Sequence, residues 1–115
     1  MKYLTFSRQF RLKTKAEFKN IFDQPNKISQ KYVTILFKPN QKNYSRIGII
    51  VAKRIAHHAH DRNRIKRIIK DSFRCHKVKL LGKDIIIIAK QPSKIIDKKT
   101  LRQGIDHLWE KLLTQ

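Results

Sequence analysis

Residues Ile85-Ile86-Ile87-Ile88-Ala89 form an unbroken, mostly β-branched run, and it limits the fold more than any other part of the chain. A strand with one wet face would alternate apolar and polar residues. The lack of alternation predicts a strand covered on both faces, at the centre of a sheet and reached by a helical crossover. Gly82 breaks the chain before the run, and Gln91-Pro92-Ser93 ends it.

The flanking segments supply the cover. Thr14-Lys15-Ala16-Glu17 fits a capping box, and Phe18, Ile21 and Phe22 follow at i, i+3 and i+4. The spacing predicts a short helix over Lys15–Phe22, stopped by Pro25 and Asn26. Tyr32 to Phe37 and Ile47 to Ala52 read as strands, joined through the polar stretch Pro39 to Ser45 as an antiparallel hairpin. From about Ala56 to His76 the period becomes helical, with Ile65, Ile68, Ile69, Ser72 and Phe73 on one face. A last helix starts at Asp97 or Thr100, either of which is a good cap, and runs to Leu113. Its inward residues are Leu101, Ile105, Leu108, Trp109 and Leu112. The order helix, strand, strand, helix, strand, helix predicts an α+β fold. It is a two-layer α/β sandwich with one sheet of about four strands, in a single domain over residues 1–115.

Charge narrows the function. Lys and Arg number 28 against 8 Asp and Glu, which gives +20. Such a chain needs a polyanion close by, and nucleic acid gains affinity from each counterion that is released. An acidic membrane surface would instead call for one basic amphipathic helix and little else, and no stretch approaches the roughly 20 apolar residues of a bilayer span. Cys75 is the sole cysteine, so no internal disulfide forms, and a reducing compartment is expected. The first sixteen residues hold no acid, as in organellar presequences, but Phe18 and Phe22 follow at once in a folded-looking segment. Arg8, Gln9 and Arg11 interrupt any secretory core, so the expected location is the cytoplasm.

Between Lys53 and Lys79, ten basic residues face only Asp61 and Asp71. With Ile65 against the sheet, Asn63, Arg67, Lys70 and Arg74 fall on the far side of the helix, Arg64 on one border, and Arg62 and Lys66 on the other. Solvated helix faces alternate signs, and this one barely does, so phosphate contact is the better reading.

Lys53-Arg54, then Arg62-Asn63-Arg64-Ile65-Lys66-Arg67 and Arg74, resemble the signature of the bacterial ribonuclease P protein family. Arg11-Leu12, Phe18 and Phe22, Arg46-Ile47-Gly48 and Ala89-Lys90 stand in the order of that family, so the resemblance runs from about Phe6 to Leu112. It implies an α/β sandwich with a left-handed crossover around the signature helix. It implies that Arg62, Asn63, Arg64, Lys66, Arg67, Lys70 and Arg74 contact a large catalytic RNA. It also implies a cleft for the single-stranded 5′ leader of precursor tRNA, with Phe18 and Phe22 as its aromatics and Lys53, Arg54 and Lys90 as its cations. Aromatic faces stack on any base and nearby cations hold the backbone, so the chemistry agrees. Many members carry a further cleft aromatic on the first long strand. Ile35 or Leu36 stands there in this chain, with Tyr32 and Phe37 displaced in register.

Other readings compete. Phe18 and Phe22 would also serve as core, Asn63 as a brace at the helix start, and Trp109 reads as core. His57, His58 and His60, with Cys75 and His76, lack metal-site spacing and read as solvated or RNA-facing. The resemblance places catalysis in the RNA with Mg2+ bound there, no metal or cofactor held by the protein, and no obligate protein partner. The acids Glu17, Asp23, Asp61, Asp71, Asp84, Asp97, Asp106 and Glu110 are scattered, which fits a non-catalytic protein. A protein-only nuclease using His57, His58 or His60 and a ribosomal-type protein are the alternatives from other classes.

Overall fold

The computed structural model describes residues 10–76, 79–80, 82–91 and 96–114. Its elements in order are α1 (Lys15–Phe22), β1 (Asn26–Ser29), β2 (Val33–Pro39), β3 (Arg46–Ile50), α2 (Ala59–His76), β4 (Lys83–Ala89) and α3 (Lys98–Leu113). The expectations resting on Arg8, Gln9, Lys77, Pro92 and Ser93 concern positions outside these residues.

The isoleucine run becomes β4, an inner strand of a four-stranded sheet ordered β1-β2-β4-β3. It pairs antiparallel with β2, from Val33 opposite Ala89 to Pro39 opposite Lys83, and parallel with β3, from Arg46 opposite Asp84 to Ile50 opposite Ile88. The hairpin expected between the first two predicted strands is therefore absent, because β4 lies between them. A strand whose run Ile85–Ala89 is apolar at every residue takes an inner position, and only one of its edges is left for each partner. The expected order also lacked β1, which pairs antiparallel with β2 from Asn26 opposite Phe37 to Ser29 opposite Thr34. Its sequence Asn-Lys-Ile-Ser has a single apolar residue. It pairs through backbone groups at a sheet edge, which leaves almost no side-chain pattern to read. Pro39, expected in the loop, closes β2, and α2 begins three residues later than expected.

Both faces of β4 are covered, unequally. Ile85, Ile87 and Ala89 join Val33, Ile35, Phe37 and Ile47 in the larger core, against Ile65, Ile69 and Phe73 of α2 and Leu101, Ile105 and Trp109 of α3. Trp109 is fully buried, and its indole N–H donates to the Ser72 hydroxyl at 2.8 Å. Ser72 also bonds Asp106, so the one polar residue on the inner face of α2 is satisfied. Asp97 caps α3, accepting from the Thr100 N–H at 3.2 Å, which decides between the two candidate caps.

On the other face Leu12, Ile21, Leu36 and Ile86 form a smaller core under α1. The capping box of α1 is present: the Thr14 hydroxyl accepts from the Glu17 N–H at 3.1 Å, and Glu17 Oε1 accepts from the Thr14 N–H at 2.9 Å. An ionic bridge then fastens the helix to the sheet. Arg46 donates to both Asp84 oxygens, at 2.8 and 2.6 Å, and to Glu17 Oε2 at 2.6 Å. Asn40 donates to Asp84 as well, at 2.9 Å.

Candidate nucleic-acid interface

The short length of α1 creates the cleft. Eight residues cover the sheet only near Leu36 and Ile86, so Ile50 and Ile88, paired in the next part of the register, stay partly exposed beside Phe18. Thr34 pairs with Ile88 and shares their face of the sheet by alternation. Gly48 fixes the ring of Phe18: a Cβ there would stand 2.5 Å from Phe18 Cζ. Phe22, one turn on, is 45% exposed, an unusual cost for a large apolar side chain with no role in water.

The parallel pair β3 and β4 ends at one rim of this floor, and the predicted cations follow from both strands. Lys53 and Arg54 come three and four residues after β3 and are exposed. Lys90 directly follows β4 and donates to Ser29 Oγ at 2.7 Å and to the Gln30 carbonyl at 2.6 Å. The strand aromatics lie elsewhere. Phe37 is in the larger core on the opposite face, and Tyr32 lies against Gly104 of α3. Of the two residues expected at the aromatic position, Ile35 faces that same larger core and Leu36 lies under α1; Thr34 is the β2 residue on the cleft floor.

Asn63 and the arginines and lysines of α2 divide into four groups. Asn63 and Arg67 are exposed on the outer face. Arg62 and Arg64 turn back on the protein: Arg62 donates to the carbonyls of Ala56 and His57 at 3.0 and 2.8 Å, and Arg64 to that of Ile96 at 3.0 Å. Arg74 pairs with Asp71. Lys66 and Lys70 line a cavity of about 180 Å³ together with Arg11, Phe18 and the edge strand at Ile47, Gly48 and Ile49. Burial, then the charges of Arg11 and Lys66, hold Lys70 below the ordinary lysine range. The signature helix and the cleft therefore meet at Phe18, a junction that helical spacing alone did not reveal.

His57, His58 and His60 are exposed with their rings in contact, centroids 5.3 and 5.5 Å apart. Among the described residues no group of three or more His, Cys, Asp and Glu is placed to hold a metal ion, and no helix is long and apolar enough to cross a membrane.

Fold and site together define a class: a basic two-layer α/β protein whose cationic helix lies beside the Phe18 ring and a partly uncovered face of the sheet. The sequence pattern of the family described as Ribonuclease P matches residues 6–113. The ribonuclease P protein component of Pasteurella multocida is 45% identical over 108 residues, 94% of this chain and 91% of that one. That of Haemophilus influenzae is 39% identical over the same shares. Among solved structures, the RNase P protein of Staphylococcus aureus superposes with a TM-score of 0.84 at 31% identity, covering 90% of this chain and 94% of the other. The Thermotoga maritima RNase P protein gives 0.79 at 29%, with 88% and 96% covered. The chain belongs to the ribonuclease P protein family.

Proposed function

We propose that this protein is the RNA-binding subunit of ribonuclease P, acting in the cytoplasm, and that it holds the catalytic RNA and the 5′ leader of precursor tRNA on two adjoining surfaces. The observation that carries this reading is the uncovered floor of Ile50 and Ile88 beside Phe18, with cations at its rim, next to the basic face of α2. Leader bases stack against Phe18 and Phe22, and Lys53, Arg54 and Lys90 hold the leader backbone without reading sequence. The exposed Asn63 and Arg67, with Arg62, Arg64 and Arg74 around them, address the catalytic RNA. The +20 charge lowers repulsion between the two RNAs, and with it the Mg2+ concentration that the holoenzyme requires.

The reaction is endonucleolytic removal of the leader, with the chemistry in the RNA. Four carboxylates of this chain are committed to arginines: Glu17 and Asp84 to Arg46, Asp71 to Arg74, Asp106 to Arg102. These residues do not fit a protein-held pair of divalent ions, and Mg2+ is placed with the RNA phosphates. A protein-only control remains informative, because a Staphylococcus aureus RNase P protein mutant is described as having defective mRNA degradation activity.

Two substitutions separate the surfaces. Arg67→Ala is expected to weaken assembly with the catalytic RNA and to reduce the salt slope of binding by about 1, as loss of one phosphate contact does. Phe18→Ala is expected to leave assembly intact and to weaken binding of leader-bearing precursor by roughly tenfold, leaving leaderless tRNA unaffected. Filter binding over a salt series reads both. Equal loss of assembly and leader binding in both variants would contradict the division.

A further inference from the structure

We propose that the cavity across α1 from the Phe18 ring is a pocket for one unpaired nucleobase, read by the carboxamides of Asn20, Gln24 and Gln41. The inference rests on the reading of this protein as RNA-binding and adds to it a base contact remote from the aromatic cleft.

The cavity, about 450 Å³, lies where the end of α1 meets the loop after β2, and its size is that of a small-ligand site. Phe18 stands beside Ile50 and Ile88, and Asn20, two residues on, is roughly 200° around the helix axis. The sheet separates the two places as well. Lys38 and Arg46 both pair with Asp84, and all three line the cavity. Thr34, Ile88 and Ile50 form the corresponding row four residues along, roughly 13 Å away at strand rise.

Carboxamides crowd this cavity: Asn20, Gln24, Asn26, Asn40 and Gln41 all line it. Asn40 is already engaged. It donates to the Tyr44 carbonyl and to Asp84, at 3.1 and 2.9 Å, and accepts from the Lys42 N–H at 2.9 Å, which fixes the loop. The side chains of Asn20, Gln24 and Gln41 are exposed and have no protein partner among the described residues. Backbone geometry singles out the same two glutamines. Gln24 and Gln41, with φ of 53° and 60°, are the only residues other than glycine in the left-handed region among those described. Glycine adopts that region without strain, and asparagine does so more readily than glutamine. What glutamine adds at both positions is a carboxamide at the cavity wall, and strain of this kind gathers at ligand sites.

Charge selects the ligand. The chain carries +20, yet here Lys38 and Arg46 stand with Asp84, and Arg46 also pairs with Glu17, so two positive groups meet two negative ones. A phosphate gains little in such a place, and Asp84 repels it. A neutral group with both donors and acceptors fits, and the pairing edge of a base is such a group. Carboxamides donate and accept at once, as Asn and Gln do with adenine. Pockets for free small molecules are mostly apolar and enclose their ligand, whereas this one is polar and open. Its base therefore arrives on an RNA that other contacts already hold, which makes this second step intramolecular.

The base has two possible sources, the precursor and the catalytic RNA, and one footprint tells them apart. Holoenzyme with bound precursor, under conditions where cleavage is blocked, is treated with dimethyl sulfate, which reads the pairing edges of adenine and cytosine. A carbodiimide reads those of guanine and uracil. Wild-type protein is compared with Gln24→Met/Gln41→Met, with Gln24→Gly/Gln41→Gly, and with Gln103→Ala as an exposed control on α3. Wild type and control are expected to protect one unpaired base that both double variants leave open, with the rest of the footprint unchanged. If that base belongs to the precursor, both variants bind precursor roughly tenfold more weakly; if it belongs to the catalytic RNA, assembly weakens by a similar factor. Methionine removes the carboxamides at constant side-chain length, and glycine relieves the left-handed backbone, so both variants are expected to melt near the wild-type temperature. Loss of protection in only one double variant would overturn the pocket, as would identical footprints in all four proteins. A wild-type protein that protected neither RNA would bring down the RNA-binding reading itself, and the pocket with it.

Discussion

Replacing Arg46 by methionine is expected to destabilise the protein by about 3 kcal/mol, the low end of the range for removing one partner of a buried ion pair. The side chains of Arg46 and Asp84 are 18% and 8% exposed, so the aspartate would keep its charge in a largely dry place with Asn40 as its remaining side-chain donor. Methionine preserves the packing of the stem and removes the bridge alone. At this chain length the loss lowers Tm by roughly 10 °C, measurable by calorimetry. An acid titration adds a second check. The N–H of Lys13, then that of Thr14, with Arg46 contributing, hold Glu17 below its ordinary 4.5. A depressed carboxylate stabilises the fold above its unfolded pKa, and the contribution is lost as pH falls through the lower folded value. Because the backbone donors come first among the causes, Arg46→Met should keep part of this acid sensitivity, and Glu17→Gln should remove it. A Tm for Arg46→Met equal to wild type would refute the bridge as the fastening of α1.

The second large effect is expected at Gly48. Valine there would set its Cβ 2.5 and 2.6 Å from two atoms of the Phe18 ring and 3.3 Å from Leu12 Cδ1. The ring has to leave its seat, at an overpacking cost of about 2 kcal/mol. Affinity for leader-bearing precursor should fall roughly tenfold, as when a stacking aromatic is lost, while assembly with the catalytic RNA is unchanged. Adding Phe18→Ala to Gly48→Val removes the clash, so the double variant should regain stability without regaining leader binding. Precursor affinity in Gly48→Val equal to wild type would show that the seating of the ring is irrelevant.

Local pattern carried much of the fold. The capping box of α1, the isoleucine stripe of α2 and the Leu101–Trp109 face of α3 each lie within a few residues, where periodicity is a direct consequence of which side is dry. Pairing was harder. The two-sided burial of Ile85–Ile88 and a hairpin between β2 and β3 could not both hold in one sheet with β4 between them. The apolar run was the stronger signal, because removing a row of isoleucine side chains from water weighs more than a turn-like loop. β1 escaped because an exposed edge strand is held by backbone groups common to every residue.

The site divides the same way. Phe18 packs beside the partly exposed Ile50 and Ile88, Lys53, Arg54 and Lys90 follow the strands that carry those isoleucines, and α2 leaves Asn63 and Arg67 exposed. The turn of Lys66 and Lys70 toward Phe18 was not legible, because it depends on how α2 sits beside the edge strand and on Arg11, 55 residues before Lys66 in the chain. The bridge of Arg46 to Glu17 and Asp84 was hidden for the same reason, spanning 29 and 38 residues. Tyr32 and Phe37, read as displaced in register, lie away from the cleft, Phe37 through sheet alternation and Tyr32 because it precedes β2.

The role of this protein as a ribonuclease P subunit stands or falls on cleavage of a 5′-extended precursor tRNA at low magnesium. The cognate catalytic RNA is assayed with and without the protein, beside a lane of protein alone. Removal of the leader is expected only where protein and RNA are both present. Equal cleavage by the RNA at the same magnesium without the protein, or leader removal by the protein alone, would contradict that role.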